Sequence, residues 1–157
     1  MDIKNILRMA RNQNKTIGTV ESITGGLLIG ALTSVSGASK VIKGSLVTYT
    51  NEEKQKFLHI KSERLAKYGA ISKEIAHDMA KIGRYQLNVD ICIALTGNAG
   101  PRAAEGKPIG LYYLAIATPH EVVVERLEEQ GTRTQIRKQA INTALNRLEQ
   151  LLRKDEK

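Results

Sequence analysis

Apolar residues recur at helical spacing in the first dozen positions, where Ile3, Ile6, Leu7 and Ala10 mark one face of a helix. Residues 16–21 (TIGTVE) then read as a short strand. Residues 25–35 (GGLLIGALTSV) read as a buried helix ending near Gly37, a residue type suited to a C-cap. Residues 44–49 (GSLVTY) predict a second strand, and the run TNEEKQKFL predicts a helix with Thr50 and Glu53 in capping-box spacing. A short helix is expected over 62–68, and a longer one over AISKEIAHDMAKIGRYQL, capped at Ser72. VDICIALTG is apolar nearly throughout and predicts a central strand buried on both faces. Residues 98–108 (NAGPRAAEGKP) form a Gly/Pro loop. Two more strands, IGLYYLAIAT and EVVVERLE, flank a tight Pro-His connection. A last helix runs from about 132 to 153 with Ile141, Ala144, Leu145, Leu148, Leu151 and Leu152 as its core stripe.

Strands alternating with helices imply an α/β domain with helices on both faces of the sheet. The 157 residues suffice for one such domain with a real core, and no repeat or linker divides residues 1–157. In sheets of this kind ligands gather where strand ends meet loops and helix N-termini. Three segments compete for that place: 21–26, 48–54 and 96–108.

The net charge of +8 favours an anionic partner, whether nucleic acid, an acidic surface or a phosphorylated small molecule. The cations are spread over two helices, however: Lys4, Arg8, Arg11 and Lys15 on the first, and Arg133, Arg137, Lys138, Arg147 and Arg153 on the last. Tyrosines do not interleave with them, so no base-stacking platform is visible, and solvated helix faces describe the charge better than a nucleic-acid patch. Cys92 is the only cysteine, which excludes an intrachain disulfide and a thiolate zinc cluster; its apolar setting predicts a buried, inert thiol. His59, His77 and His120 show no ligand spacing, so neither a metal nor another cofactor is expected. No apolar run approaches the ~20 residues that span a bilayer. The N-terminal stretch reads as an amphipathic helix rather than a signal peptide, which places the protein in the cytoplasm, away from membranes.

Ser22 follows the first strand and precedes Gly25 and Gly26. It reads either as the N-cap of an ordinary helix or as a nucleophile whose oxyanion would be received by the amides of Thr24, Gly25 and Gly26. Lys54 falls in the first turns of the helix capped by Thr50. It is either a solvent-facing helix lysine or, if desolvated, a base of lowered pKa that could serve a serine. Tyr49 ends the strand just before, where its hydroxyl could relay a proton or orient a substrate. No histidine lies in the three segments, so a Ser-Lys pair has more support than a Ser-His-Asp triad.

Together these stretches resemble the C-terminal domain of the CinA family, whose members include stand-alone nicotinamide-nucleotide amidases. The resemblance covers roughly residues 5–150. It rests on the order and spacing of TVESITGG, VSGASKVIKGSLVTYTNEEKQKFL, YGAISKEIAHDMA, ALTGNAGP, GKPIGLYYLAIAT and GTRTQIRKQAINTAL. It implies a three-layer α/β/α sandwich with a mixed, largely buried sheet. The implied activity is hydrolysis of nicotinamide mononucleotide to nicotinate mononucleotide and ammonia, without a metal, by a protein that forms homo-oligomers. On this resemblance Ser22 is the nucleophile, Tyr49 and Lys54 are its partners, and Ser39 is a further family serine. Gly97, Gly100, Lys107 and Arg133 would help line the substrate site, with Lys107 or Arg133 near the 5′-phosphate. The chain departs from the family's usual E-S-C-T-G-G at Ile23, and from its usual pocket loop at Asn98, Ala103, Ala104 and Leu111. Those departures keep open an amidase for another nucleotide amide, and the net charge of +8 keeps open an inactive nucleotide-binding or DNA-linked module.

Overall fold

The computed structural model describes residues 1–155. Among them, helix α1 (Ile3–Asn12) leads into strand β1 (Ile17–Glu21), helix α2 (Leu27–Thr33), a 3-10 turn at Ala38–Lys40 and strand β2 (Ile42–Val47). Helices α3 (Asn51–Leu58), α4 (Ser62–Tyr68) and α5 (Lys73–Leu87) follow. Strands β3 (Ile91–Gly97), β4 (Leu111–Ala117) and β5 (Val122–Glu128) and helix α6 (Arg133–Lys154) complete the chain. The sheet runs in the order β2-β1-β3-β4-β5. Strand β1 pairs in parallel with β2 and β3, whereas β3-β4 and β4-β5 are antiparallel. The expected mixed sheet with helices on both faces is therefore present.

Two apolar clusters show why each helix takes its side. Ile6, Leu28, Leu95, Ile136 and Leu148 belong to the layer built by α1, α2 and α6. Val20, Leu58, Leu65, Met79 and Ala94 belong to the layer built by α3, α4 and α5. Side chains alternate along a strand, so Val20 and Ala94 face one layer while Ile93 and Leu95 face the other. Caps fix the helix starts: Thr50 Oγ1 accepts from the Glu53 amide at 3.3 Å, and Ser72 Oγ accepts from the Ile75 amide at 3.2 Å.

Three boundaries differ from the sequence expectation. Helix α2 begins at Leu27 rather than residue 25, because Gly25 and Gly26 take left-handed φ values of 57° and 99° and turn the chain before the helix starts. Strand β2 lies over 42–47 rather than 44–49, since Ile42 already pairs with Ile17; Tyr49 is thereby left outside the strand. Strand β4 starts at Leu111, because Gly110 has φ 90° and its carbonyl accepts from the Glu129 amide at 3.0 Å.

The chain leaves β1 for β2 on one side and later returns for β3 on the other. That reversal is a topological switch point, and in open α/β sheets the crevice beyond the carboxyl ends of the strands at such a point is the usual ligand position.

Candidate active site

Ser22 lies in that crevice, one residue past β1, with its amide donating to the Leu95 carbonyl at 2.9 Å. Strand alternation points Ser22 toward the α3–α5 layer, together with Thr48 beyond β2 and Thr96 on β3. From that layer comes Lys54, which is only 1% exposed. Its Nζ lies 3.0 Å from Ser22 Oγ and donates to the Thr48 carbonyl at 2.8 Å. Burial lowers the Lys54 pKa from 10.5 to about 8, against an opposing pull from the negative charge of Glu105. The serine hydroxyl is therefore bonded to a lysine across the crevice, and α2 is capped by a different group.

That group is Glu21. Fully buried, it sends its carboxylate to the opposite face, where it accepts from the amides of Leu28 and Ile29, each at 2.9 Å. It also accepts from Thr24 Oγ1 at 2.6 Å and from Thr19 Oγ1 at 3.2 Å. The first amides of α2 are thus spent on an internal carboxylate rather than offered to a ligand. Arg137 of α6 holds the same turn from outside, its Nε donating to the Ile23 carbonyl and its Nη2 to the Thr24 carbonyl, both at 3.0 Å. Within the turn, the Gly25 amide donates back to the Ser22 carbonyl at 3.1 Å, so of the three amides expected to receive an oxyanion that one is occupied. Gly25 also leaves room for the Arg137 guanidinium, 3.0 Å from where a Cβ would stand.

Tyr49 is 55% exposed, and its hydroxyl accepts from Arg133 Nη2 at 2.8 Å rather than bonding to Ser22 or Lys54. Arg133 also donates through Nη1 to the Gly100 carbonyl at 2.8 Å, so Tyr49, Arg133 and Gly100 form the mouth of the crevice. Gly97 packs so closely on Tyr112 and Leu111 that a side chain there would collide with β4. Lys107 is committed to the protein itself, donating to the carbonyls of Tyr68 and Ile71. Ser39 is exposed in the 3-10 turn before β2, at the opposite end of the sheet from Ser22. Within one chain the fold does not bring Ser39 to the dyad.

Buried polar atoms complete the site. Thr96 Oγ1 donates to the Ala70 carbonyl at 2.8 Å, and Asn98 Oδ1 accepts from the Gly100 amide at 3.0 Å. Thr48 Oγ1 and Asn98 Nδ2 are buried without a hydrogen-bond partner. Buried polar atoms without a partner are uncommon; Gln13 Oε1 and Gln139 Oε1, away from this site, are the others among the described residues. Among the described residues no group of three or more His, Cys, Asp or Glu side chains is arranged to hold a metal. None of the described helices is long and apolar enough to cross a membrane.

Sequence reasoning passed over Glu21, Arg137, Thr48, Thr96 and Glu105. Two signals were available. A carboxylate directly before the serine must point to the opposite face of the sheet, and Arg133 and Arg137 stand four apart on one face of α6.

Comparison with known proteins agrees with this architecture. Residues 3–152 match the family model described as the CinA C-terminal domain. A CinA-like protein of Prochlorococcus marinus (strain AS9601) is 42% identical over 151 residues, which make up 94% of this chain and 36% of the relative. A second one, from strain MIT 9515, is 41% identical over 154 residues, 96% of this chain and 35% of its own length. The chain thus spans about a third of the length of these curated relatives. Among solved structures, a CinA superfamily protein from Klebsiella pneumoniae superposes with a TM-score of 0.92 at 27% identity, covering 96% of this chain and 94% of its own. The competence/damage inducible protein CihA from Agrobacterium tumefaciens superposes with a TM-score of 0.86 at 35% identity, covering 94% of each chain. With its family model matched along nearly its whole length and its crevice built at the carboxyl ends of β1 and β3, the chain belongs to the CinA C-terminal domain family.

Proposed function

We propose that the protein hydrolyses the carboxamide of nicotinamide mononucleotide, releasing ammonia and nicotinate mononucleotide. The observation that carries this reading is the pair of Lys54 Nζ and Ser22 Oγ, 3.0 Å apart, with the lysine buried and its pKa brought down to about 8. One N–H of Lys54 is anchored on the Thr48 carbonyl, which leaves the nitrogen lone pair of the neutral amine to face the serine. Ser22 Oγ adds to the amide carbon while its proton passes to Lys54 Nζ. The resulting oxyanion is received by the main-chain amides of Thr24 and Gly26, the first of which shares its peptide plane with the Ile23 carbonyl that Arg137 holds. The C–N bond breaks as Lys54 returns the proton to the departing nitrogen, giving ammonia and an ester on Ser22. Water then gives a proton to the same amine as its oxygen adds to the ester carbon, and the bond from that carbon to Ser22 Oγ breaks as Lys54 returns the proton to Oγ, freeing the acid.

Arg133, exposed at the mouth between Tyr49 and Gly100, is suited to the substrate's 5′-phosphate, with Tyr49 positioned by it rather than acting on the serine. We place the reaction in the cytoplasm and in a homo-oligomer. A second reading, an amidase for a different nucleotide amide, is favoured by Asn98, which follows β3 directly and whose Nδ2 is buried without a hydrogen-bond partner. Ammonia release from a panel of nucleotide and nucleoside amides tests both. Preferred turnover of nicotinamide mononucleotide supports the first, preference for another amide supports the second, and release from none of them removes the amidase assignment.

A further inference from the structure

We infer that Glu105 is a positioning residue of this site: together with Lys107 it latches the 98–110 loop onto the connection between α4 and α5 and holds a carboxylate on the side of the sheet where Lys54 lies. The inference rests on the reading of Ser22 and Lys54 as the reacting pair.

Glu105 stands at a turn closed by pairing of Ala104 with Lys107, whose amide donates to the Ala104 carbonyl at 2.9 Å. Its φ of 56° is left-handed, a conformation that a side chain other than Gly, Asn or Asp rarely takes without compensation. The compensation is visible. Its two carboxylate oxygens accept from the amides of Ala70 at 2.8 Å and Ile71 at 3.1 Å. Lys107 completes the contact in the opposite sense, donating to the carbonyls of Tyr68 and Ile71 and pairing with Glu105 at 3.4 Å. An acid takes two amides and a base takes two carbonyls of one short segment. Gly69 lies between them: it has φ 77°, and a Cβ there would collide with the Glu105 carboxylate. The receiving segment is therefore shaped for this latch.

The latch reaches the dyad through Ala70. The carbonyl of Ala70 accepts from Thr96 Oγ1, and Thr96 stands level with Ser22 across the β1–β3 pair. Lys54 meets the Ser22 hydroxyl and the Thr48 carbonyl from the sheet. On its own helix Glu52 and Lys56 are exposed and Glu53 is half-buried, and α5 buries Ile75, Ala76 and Met79 on this side. Arg133 and Tyr49 stand at the mouth. Bound to the Ala70 and Ile71 amides, the Glu105 carboxylate is held on this side of the sheet, where a negative charge favours the protonated amine that burial disfavours. Glu105 thereby keeps a desolvated lysine able both to accept the serine proton and to return it.

Three variants of the full chain test this: Glu105→Gln, which removes the charge but keeps the shape, Glu105→Ala and Lys107→Met. The Lys54 titration is followed by NMR of the lysine Cε in labelled protein, which needs no activity. In Glu105→Gln the Lys54 midpoint should move to lower pH, and the acid limb of kcat/KM should move with it. In Lys107→Met, which removes a cation, the midpoint should stay or rise. A purely structural latch would move both variants alike. Hydrogen exchange at the Ala70 and Ile71 amides should quicken on the order of tenfold or more in Glu105→Ala. An unmoved Lys54 midpoint in Glu105→Gln, or unchanged exchange in Glu105→Ala, overturns the inference. If the wild-type protein releases no ammonia from any amide, the amidase reading fails, and the titration and exchange still decide the role of Glu105.

Discussion

Glu21 and Lys54 are the two most deeply buried charged side chains near Ser22, and they are treated in opposite ways. Glu21 has four hydrogen-bond donors around its two oxygens, drawn from α2, Thr24 and Thr19. Lys54 has one carbonyl and one hydroxyl. A buried charge with its bonding capacity filled acts as scaffold, and removing it strands every partner. A buried charge left short of partners is pushed toward its neutral form and becomes available for proton transfer. On opposite faces of the sheet, the chain thus holds a fully bonded carboxylate that shapes the turn after Ser22 and a sparsely bonded lysine beside the serine hydroxyl.

The largest expected effect separates the two by activity. Lys54→Arg keeps a cation that cannot deprotonate, so amide turnover should fall by roughly 10²–10⁴-fold with the fold intact by circular dichroism. Ser22→Ala should abolish turnover with little change in melting temperature, because Ser22 caps no helix amide. Retained turnover in either variant would remove the dyad from the mechanism.

Stability gives the next contrast. Glu21→Ala leaves the amides of Leu28 and Ile29 and the Thr24 hydroxyl without their acceptor in a dry setting. At ~1–3 kcal/mol for each stranded group, the loss should reach about 3 kcal/mol in urea unfolding. Lys54→Met should do the reverse at pH 7. The Lys54 pKa of about 8 lies below its ordinary 10.5, so the folded state holds fewer protons than the unfolded state between those values. Stability from this group therefore rises as pH climbs through about 8 toward 10.5, and below pH 8 its burial carries the full cost. At ~1.4 kcal/mol per pH unit that cost is about 3 kcal/mol, which Lys54→Met should recover at pH 7 and no longer recover near pH 10.5. Equal stabilisation at both pH values would mean that the lysine is not desolvated.

Two smaller effects sharpen the picture. Tyr49 is half-exposed and bonded to Arg133, so Tyr49→Phe should change kcat less than tenfold and act mainly on KM for the nucleotide, as ~0.5–1.5 kcal/mol for one hydrogen bond implies. A collapse of kcat would return Tyr49 to the proton path. Cys92 is buried in β3 with its pKa pushed up to about 12 by burial, so iodoacetamide should leave the native thiol unmodified at pH 8 and label it only after unfolding.

The strongly patterned elements were legible from residues alone. The apolar run through Ile91, Ile93 and Leu95 made β3 central, and the stripe on α6 put that helix on the core. Serine and lysine were legible as residue types in the right segments, but their bond was not. It depends on α3 crossing the sheet so that the fourth residue of the helix, rather than a neighbour, points inward. The reach of Glu21 to α2 and of Glu105 to residues 70 and 71 was hidden for a similar reason. Each joins a side chain to backbone amides, and amides carry no residue-specific signature in a sequence.

The antiparallel β3–β4 pair has a consequence for how such a protein can change. Gly97 pairs with Tyr112, and the Asn98 amide donates to the Leu111 carbonyl at 2.8 Å, so the loop between them leaves and re-enters the sheet at one point. Its tip, including Ala103 and Ala104, lies in solvent. Residues gained or lost there leave the register of β3, and with it the place of Ser22, untouched, but they bear directly on the latch made by Glu105 and Lys107. A change of loop length therefore acts through the Glu105 latch, while Ser22 keeps the place that strand pairing gives it: the rim is adaptable and the floor is set by the sheet.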